Sequence, residues 1–362
     1  MFIKFAYYIV PLYLFLCQVE GQLHIECVTP NNETATCEAV HECKVFINSI
    51  KNGEQTESQK KFMKKSLCGF IQSTPVVCCG SKSDYNEAHR PKRAADFKLN
   101  PALPDDSVCG ISIKDSSVKG PTTAGRGEFP WSARLQYNNS NIVYACEGVL
   151  INSRYILTAG LCLDEATFKR MGNLYKIRLG EFNCPESEKD CKKEPLDVGI
   201  TEIIRNPNYG FNGRLNHDDI GLVRLEKDVE FSDTVRPICL PKPGEEPLAV
   251  GQLLIESGWF RNSKVQLKTE NLLASFENCS KVYKANGVTL TNTHICAGGL
   301  SNGTCAGLSG GSLIRRGVQE KAYLEGVISF GPKQCGLSGW PTVYTNVRSY
   351  LEWIHSSIKP SI

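Results

Sequence analysis

A surplus of one charge sign is the first thing missing. Forty-one Lys and Arg stand against 38 Asp and Glu, and a formal charge of +3 over 362 residues is too small to suggest a nucleic-acid partner. Beyond the N-terminal segment no apolar run is long enough to span a membrane. There is no glycine-rich phosphate cradle, no metal-ligand cluster and no internal repeat, so no cofactor and no metal are expected. Methionine is scarce, at 3, whereas cysteine reaches 17. That imbalance points to an oxidising compartment, where cysteine pairs staple a fold. A content of 41% hydrophobic and 22% charged residues is that of a globular protein, long enough for one large domain plus something small.

The N-terminal segment fits an exported protein. Residues 1–21 carry Lys4, an apolar stretch from Phe5 to Cys17, and the small or β-branched Val19 and Gly21 where a signal peptidase would read. Some ~13 apolar residues cannot cross ~30 Å of hydrocarbon as a helix, which favours a removable signal over an anchor. If Cys17 leaves with it, 16 cysteines remain, the even number that complete pairing requires.

Six of these, Cys27, Cys37, Cys43, Cys68, Cys78 and Cys79, fall in one short stretch, 22–80. So small a segment buries too little apolar surface to fold unaided, and three disulfides at ~2–4 kcal/mol each would supply the difference. Six cysteines permit 15 connectivities, and counting does not choose among them. Zinc binding is the weaker reading, because paired Cys-x-x-Cys spacing is absent. Lys60, Lys61, Lys64 and Lys65 read as the solvated face of a helix. Residues 81–108 are polar, charged and punctuated by proline, and read as an exposed linker. Within it, Arg90-Pro91-Lys92-Arg93 offers a processing protease an accessible basic site, with cleavage after Arg93.

The remaining ten cysteines spread over 109–335, through segments rich in β-branched and aromatic residues. Strands are expected at 141–151, 175–178, 197–205, 219–225, 322–330 and 342–347, giving an all-β architecture of barrels or a sandwich. Val347, Tyr350, Leu351 and Ile354 recur at helical spacing and predict a C-terminal amphipathic helix, with Trp353 in the core. Ser309 sits among glycines in Gly307-Leu308-Ser309-Gly310-Gly311-Ser312, a turn in which backbone N–H groups could converge on one point.

The spacing of the first six cysteines, closing on Val77-Cys78-Cys79, resembles the clip domain that precedes secreted serine proteases of arthropods. Residues 109–362 resemble the chymotrypsin-like serine proteases. The motifs stand in the family's order: Glu128-Phe129-Pro130-Trp131, then Ile156 to Cys162, Asn216 to Leu222, Cys305 to Leu313, Ser329-Phe330-Gly331 and Pro341 to Thr345. The resemblance implies a double β-barrel with a C-terminal helix, preceded by a small disulfide-rich clip domain. It also implies the pairs Cys27–Cys78, Cys37–Cys68, Cys43–Cys79, Cys109–Cys239, Cys146–Cys162, Cys279–Cys296 and Cys305–Cys335, leaving Cys184 and Cys191 to pair with each other.

Against that pattern the departures bear on function. Leu161 stands where the family has its catalytic histidine, and leucine accepts no proton at any pH. Asp219 and Ser309 remain in register, so the triad is degenerate, and no catalytic residue set is expected. Gly307 and Ser309 would be the remnant of the oxyanion hole. The family's carboxylate before the serine, which receives the ammonium of a newly cut chain end, is replaced by Leu308. The cleavage site itself should lie near Val118, and Ser116-Ser117-Val118-Lys119-Gly120-Pro121 has no basic residue before the cut. In the specificity pocket Gly303 replaces an aspartate, Thr342 occupies a wall position that is often glycine, and Gly331 is a further pocket residue. His217 is next to the wrong partner to substitute as base. The resemblance therefore implies a secreted protease homologue without proteolysis, a cofactor or scaffold in an innate-immune cascade of arthropod haemolymph. Its expected partners are active clip-domain proteases and prophenoloxidase. A slow or unusual endopeptidase, or a decoy that binds protease substrates, are the alternatives. Asn32, Asn138, Asn278 and Asn302 each open an Asn-x-Ser/Thr triplet and are candidate glycosylation sites.

Overall fold

A computed structural model of the chain describes residues 23–30, 33–51, 57–71, 74–81, 99–113, 122–139, 143–182, 195–211, 216–245, 247–259, 263, 265–299, 307–332 and 337–360. The leader at 1–21, Asn32, Arg93, residues 116–121, Asn302, Gly303 and the cysteines 184, 191, 305 and 335 lie outside them. The contacts divide the chain into two units, Met1–Arg93 and Ala94–Ile362.

In the first unit, strands β1 (Glu26–Val28), β2 (Thr34–Ala39), β3 (Leu67–Ile71) and β4 (Thr74–Cys79) form an antiparallel sheet in the order β1-β2-β4-β3. Helices α1 (Lys44–Lys51) and α2 (Glu57–Lys65) lie between β2 and β3 in the chain. Phe62 of α2 is buried while Lys60, Lys64 and Lys65 are exposed, the division that the lysine spacing predicts. Phe46 and Phe62, with ring centroids 6.3 Å apart, form a small core with Cys43 and Val77, against which the partly buried Val40, Val45, Met63 and Cys79 pack. Cross-links therefore matter. Cys27–Cys78, Cys37–Cys68 and Cys43–Cys79 close separations of 51, 31 and 36 residues. Loops of that size correspond to about 4 kcal/mol each in a chain-entropy treatment.

The second unit begins its sheets with β5 (Thr122–Thr123), β6 (Ser132–Tyr137), β7 (Val143–Leu150), β8 (Tyr155–Thr158) and β9 (Leu174–Leu179). Then come β10 (Leu196–Arg205), the short pair β11 (Gly210–Phe211) and β12 (Asn216–His217), and β13 (Gly221–Leu225). Six of these close a barrel in the order β10-β13-β8-β7-β6-β9. The second half has β14 (Leu253–Gly258), β15 (Leu267–Leu272), β16 (His294–Ala297), β17 (Ser312–Arg316), β18 (Ala322–Phe330) and β19 (Thr342–Asn346). With β5 they make a seven-stranded sheet, order β16-β19-β18-β17-β14-β15-β5. Ala133, Leu135 and Tyr137, two residues apart along β6, are all fully buried, as one face of a pleated strand should be. The main core continues from the barrel into Ile255, Ile314, Leu324 and Val327 of the second sheet.

The chain closes with a 3-10 turn, Val347–Tyr350, and a helix, Leu351–Ser357, and Val347, Tyr350, Leu351 and Ile354 are all buried. This is the chymotrypsin-like arrangement: two barrel-like sheets, few helices and a C-terminal helix, after a disulfide-rich N-terminal region.

Two expectations need correction. The strand read from residue 219 starts at Gly221, because Asp218 adopts φ 48°, a left-handed turn, and breaks the extended run. The polar composition predicts an exposed linker up to residue 108, yet its last part, from Leu99, belongs to the second unit and packs on its core. Asn100 donates its backbone N–H to His355 Nδ1 at 2.9 Å and its side-chain amide to the carbonyls of His355 and Ile358 at 2.8 and 2.6 Å. Ala102 and Leu103 pack against the main core, and Asn152 donates to the Ala102 carbonyl at 3.0 Å.

Candidate functional site

The candidate site is assembled from three turns, one after β8, one between β12 and β13, and one before β17. After β8 the chain enters a 3-10 turn, Gly160–Leu163, tied to β7 by the Cys146–Cys162 disulfide. Gly160 lies flat on Tyr209: a Cβ here would come within 2.7 Å of the ring. Leu161 follows, half-buried, its carbonyl accepting from Thr167 Oγ1 at 2.7 Å.

Asp219 comes from the turn before β13 and is 1% exposed. Its Oδ1 accepts the backbone N–H of Leu161 at 2.7 Å, Oδ2 accepts the Ser329 hydroxyl, and its own carbonyl accepts Thr345 Oγ1 at 2.8 Å. Tyr350 holds the preceding residue, donating to Asp218 Oδ1 at 2.8 Å. The aspartate is thus oriented by backbone and hydroxyl donors, and the residue facing it at 161 carries a hydrocarbon side chain.

Ser309 lies in the turn before β17. Its hydroxyl donates to the carbonyl of Ser329 at 3.3 Å, and a carbonyl cannot take a proton away. Gly310 fixes the turn. It has φ +93°, and a Cβ there would stand 1.9 Å from the Glu147 carbonyl and 2.4 Å from Thr158 Oγ1, so only glycine fits. The Glu147 N–H donates to Ser309 O at 2.9 Å and Gly310 N–H to Ile328 O at 2.8 Å, so the turn is stitched to both β7 and β18.

His217 sits on β12, paired across to Gly210. Thr342, at the start of β19, is a neighbour of Gly331, where an added Cβ would lie 3.5 Å from Thr342 Oγ1. Tyr209 is no base near neutrality: burial, with the charges of Asp219 and Asp164, raises its phenol far above the usual tyrosine range. Away from the cleft, Asn138 and Asn278 are exposed; Asn138 accepts the Asn173 N–H at 2.7 Å, and Asn278 stands in the first turn of the helix capped by Ser275.

Sequence reading missed two residues that shape this site. Glu147 and Glu256 are 2% and 1% exposed, each a lone carboxylate in a buried strand, and both reach beneath the serine turn. Glu147 Oε1 accepts the N–H groups of Trp259 at 2.6 Å and Leu308 at 3.1 Å. Glu256 Oε1 accepts the Gly307 N–H at 3.2 Å, and its Oε2 accepts the Tyr344 hydroxyl at 2.5 Å and the Asn271 amide at 3.0 Å. Burial pushes the Glu147 carboxyl up to about 8, with Glu256 adding to the rise, against the lowering pull of the Trp259 and Leu308 N–H groups and of Arg134. The available signal was an acidic residue inside Cys146-Glu147-Gly148-Val149-Leu150 and again inside Leu254-Ile255-Glu256-Ser257-Gly258, runs that are otherwise free of charge.

Comparison with known proteins agrees with the folds of both units. The family described as Trypsin matches residues 118–354, and the Regulatory CLIP domain of proteinases matches residues 27–79. Phenoloxidase-activating factor 1 of Holotrichia diomphalia is 37% identical over 352 residues, covering 92% of this chain and 93% of that protein. Serine protease ea of Drosophila melanogaster is 32% identical, over 92% of this chain and 91% of its own length. The crystal structure of the Drosophila Grass clip serine protease of the Toll pathway superposes with a TM-score of 0.58 at 25% identity, covering 92% of this chain and 97% of that one. With both domains matched and relatives aligned over nearly its whole length, the chain belongs to the trypsin family of serine proteases and carries a regulatory CLIP domain.

Proposed function

We propose that the protein is a secreted, non-catalytic clip-domain serine protease homologue, a cofactor or scaffold in an arthropod haemolymph cascade that activates prophenoloxidase and leads to melanisation. One observation carries this reading: Asp219 is held in place by the Leu161 N–H, and position 161, where the family has its histidine, is a leucine. A serine hydroxyl is a weak nucleophile without a base beside it. In the serine protease triad, which is the source of this figure, removing the base costs about a millionfold in rate, roughly 8 kcal/mol.

Three other departures concern separate parts of the same mechanism. Leu308 cannot receive an ammonium, no basic residue stands directly before the expected cut at Val118, and Gly303 leaves the specificity pocket without its carboxylate. Drift in a working enzyme is not expected to remove all of these together. The place in a melanisation cascade is supported by relatives named Phenoloxidase-activating factor 1 and Melanization protease 1. Secretion is supported by the apolar leader and the disulfides. Among the described residues no helix is long and apolar enough to cross a membrane. On this reading the partners are active clip-domain proteases and prophenoloxidase, and Arg93 is the processing site.

The test is to cut the secreted protein between residues 82 and 98 and expose it to a serine-directed phosphonate probe. No labelling of Ser309 is expected under conditions that label an active trypsin-like protease. Labelling at an ordinary protease rate would end the non-enzyme reading.

A further inference from the structure

Two consecutive amides of the serine turn face inward. Gly307 N–H is directed to Glu256 Oε1 and Leu308 N–H to Glu147 Oε1, at 3.2 and 3.1 Å. Both acceptors are themselves fixed. Glu147 is gripped by the Trp259 N–H, and Glu256 by Tyr344 and Asn271. The space around them is reserved: a Cβ on Gly258 would stand 2.2 Å from Glu147 Oε2, and one on Gly311 3.0 Å from the same oxygen. An oxyanion in the cleft would need the Gly307 amide turned outward, and that amide is committed to a buried carboxyl group. Turning it out would break the Gly307 hydrogen bond to a carboxyl group that is 1% exposed, which opposes the movement.

We infer that Glu147 and Glu256 are positioning residues that hold the serine turn with its amides inward, so that cutting the chain upstream leaves the turn unchanged. In the family a new chain end reorganises this turn through the carboxylate that Leu308 has replaced. Here the carboxyl groups come instead from the neighbouring strands β7 and β14, lie already beneath the turn, and need no chain end to engage it. The inference rests on the non-catalytic reading for its meaning, since it makes the cleft a fixed surface in both the intact and the cut protein. Its geometry is independent of that reading.

The experiment is amide hydrogen exchange on the full secreted chain, intact and after limited trypsin cleavage between residues 82 and 98, resolved at Gly307 and Leu308. Both amides should be protected, with intact and cut rates agreeing within about threefold. E256A should speed exchange at Gly307 by about tenfold or more, whereas E256Q, which keeps an acceptor oxygen, should restore most of the protection. A cut form whose Gly307 and Leu308 amides exchange about tenfold faster or slower than in the intact chain would overturn the inference, as would unprotected amides in the wild type. If E256A does not fold, the wild-type comparison decides alone. Labelled Ser309 with protected amides would remove the functional reading and leave this one standing. An unlabelled serine with freely exchanging amides would do the reverse.

Discussion

The backbone N–H of Leu161 donates to Asp219 Oδ1 at 2.7 Å, so the aspartate keeps a fixed aim although the side chain beside it cannot use it. On the proposed non-catalytic reading its role is structural. Asp219 to alanine would strand the buried Ser329 hydroxyl and the Leu161 N–H together, and a cost of about 2–4 kcal/mol is expected for two such donors. Urea unfolding should register that loss. A variant as stable as the wild type would show that water replaces the carboxylate without cost.

Returning histidine to position 161 should not return activity. L161H supplies a base, but Leu308 still offers no carboxylate and the Gly307 amide still points at Glu256. Peptide hydrolysis by this variant is expected to stay about a hundred- to a thousandfold below that of an active family member, the scale of losing one oxyanion donor. Robust turnover by the single variant would mean that the serine turn rearranges more easily than its hydrogen bonds indicate.

Glu147 predicts an unusual dependence of stability on pH. Its ordinary value is 4.5 and burial lifts it to about 8, so between these limits the folded chain holds a proton that the unfolded chain has released. The contribution is complete below 4.5 and is lost as pH rises through 8. In the fold, Arg134 opposes this rise and Glu256 reinforces it. E147Q should flatten the decline in urea midpoint between pH 5 and 8, removing a slope of up to about 1.4 kcal/mol per pH unit. Parallel profiles for the two proteins would assign the slope to other groups.

At the back of the same unit His355 gives the opposite sign. Burial lowers its pKa below 6.5, and Nδ1 accepts the Asn100 N–H, which requires the neutral ring. Stability from this contact is present above 6.5 and is lost as the medium acidifies. Proteolysis around residues 99–105 should therefore accelerate between pH 7 and 5. In H355A it should be fast and insensitive to pH over that range. A wild-type rate that does not change would show that the other contacts of the segment hold it unaided.

Much of the fold was legible because local patterns state it. The strand expected at 322–330 is Ala322–Phe330, and the apolar spacing from Val347 to Ile354 is the buried face of the C-terminal turn and helix. Leu161, Asp219 and Ser309 could be placed because each sits in a short motif. Glu147 and Glu256 could not, since a lone acid in a strand acquires meaning only from partners far off, at 112 residues for Glu147 with Trp259 and 51 for Glu256 with Gly307. The end of the linker failed for the same reason: its polar residues look solvated until His355, 255 positions away, accepts the Asn100 N–H.

That end of the linker also determines where a pull would be felt. Cys109 is bonded to Cys239, Gly110 N–H donates to Pro237 O at 2.8 Å, and Ala322 N–H donates to Gly110 O at 3.0 Å. Tension applied upstream of residue 99 would act first on the hydrogen bonds of Asn100 to His355 and Ile358 and then, once these give way, on the covalent link between Cys109 and Cys239. Beyond that link the load would pass to β18, through Ala322 and Leu324, the same strand whose Ser329 meets Asp219 and Ser309.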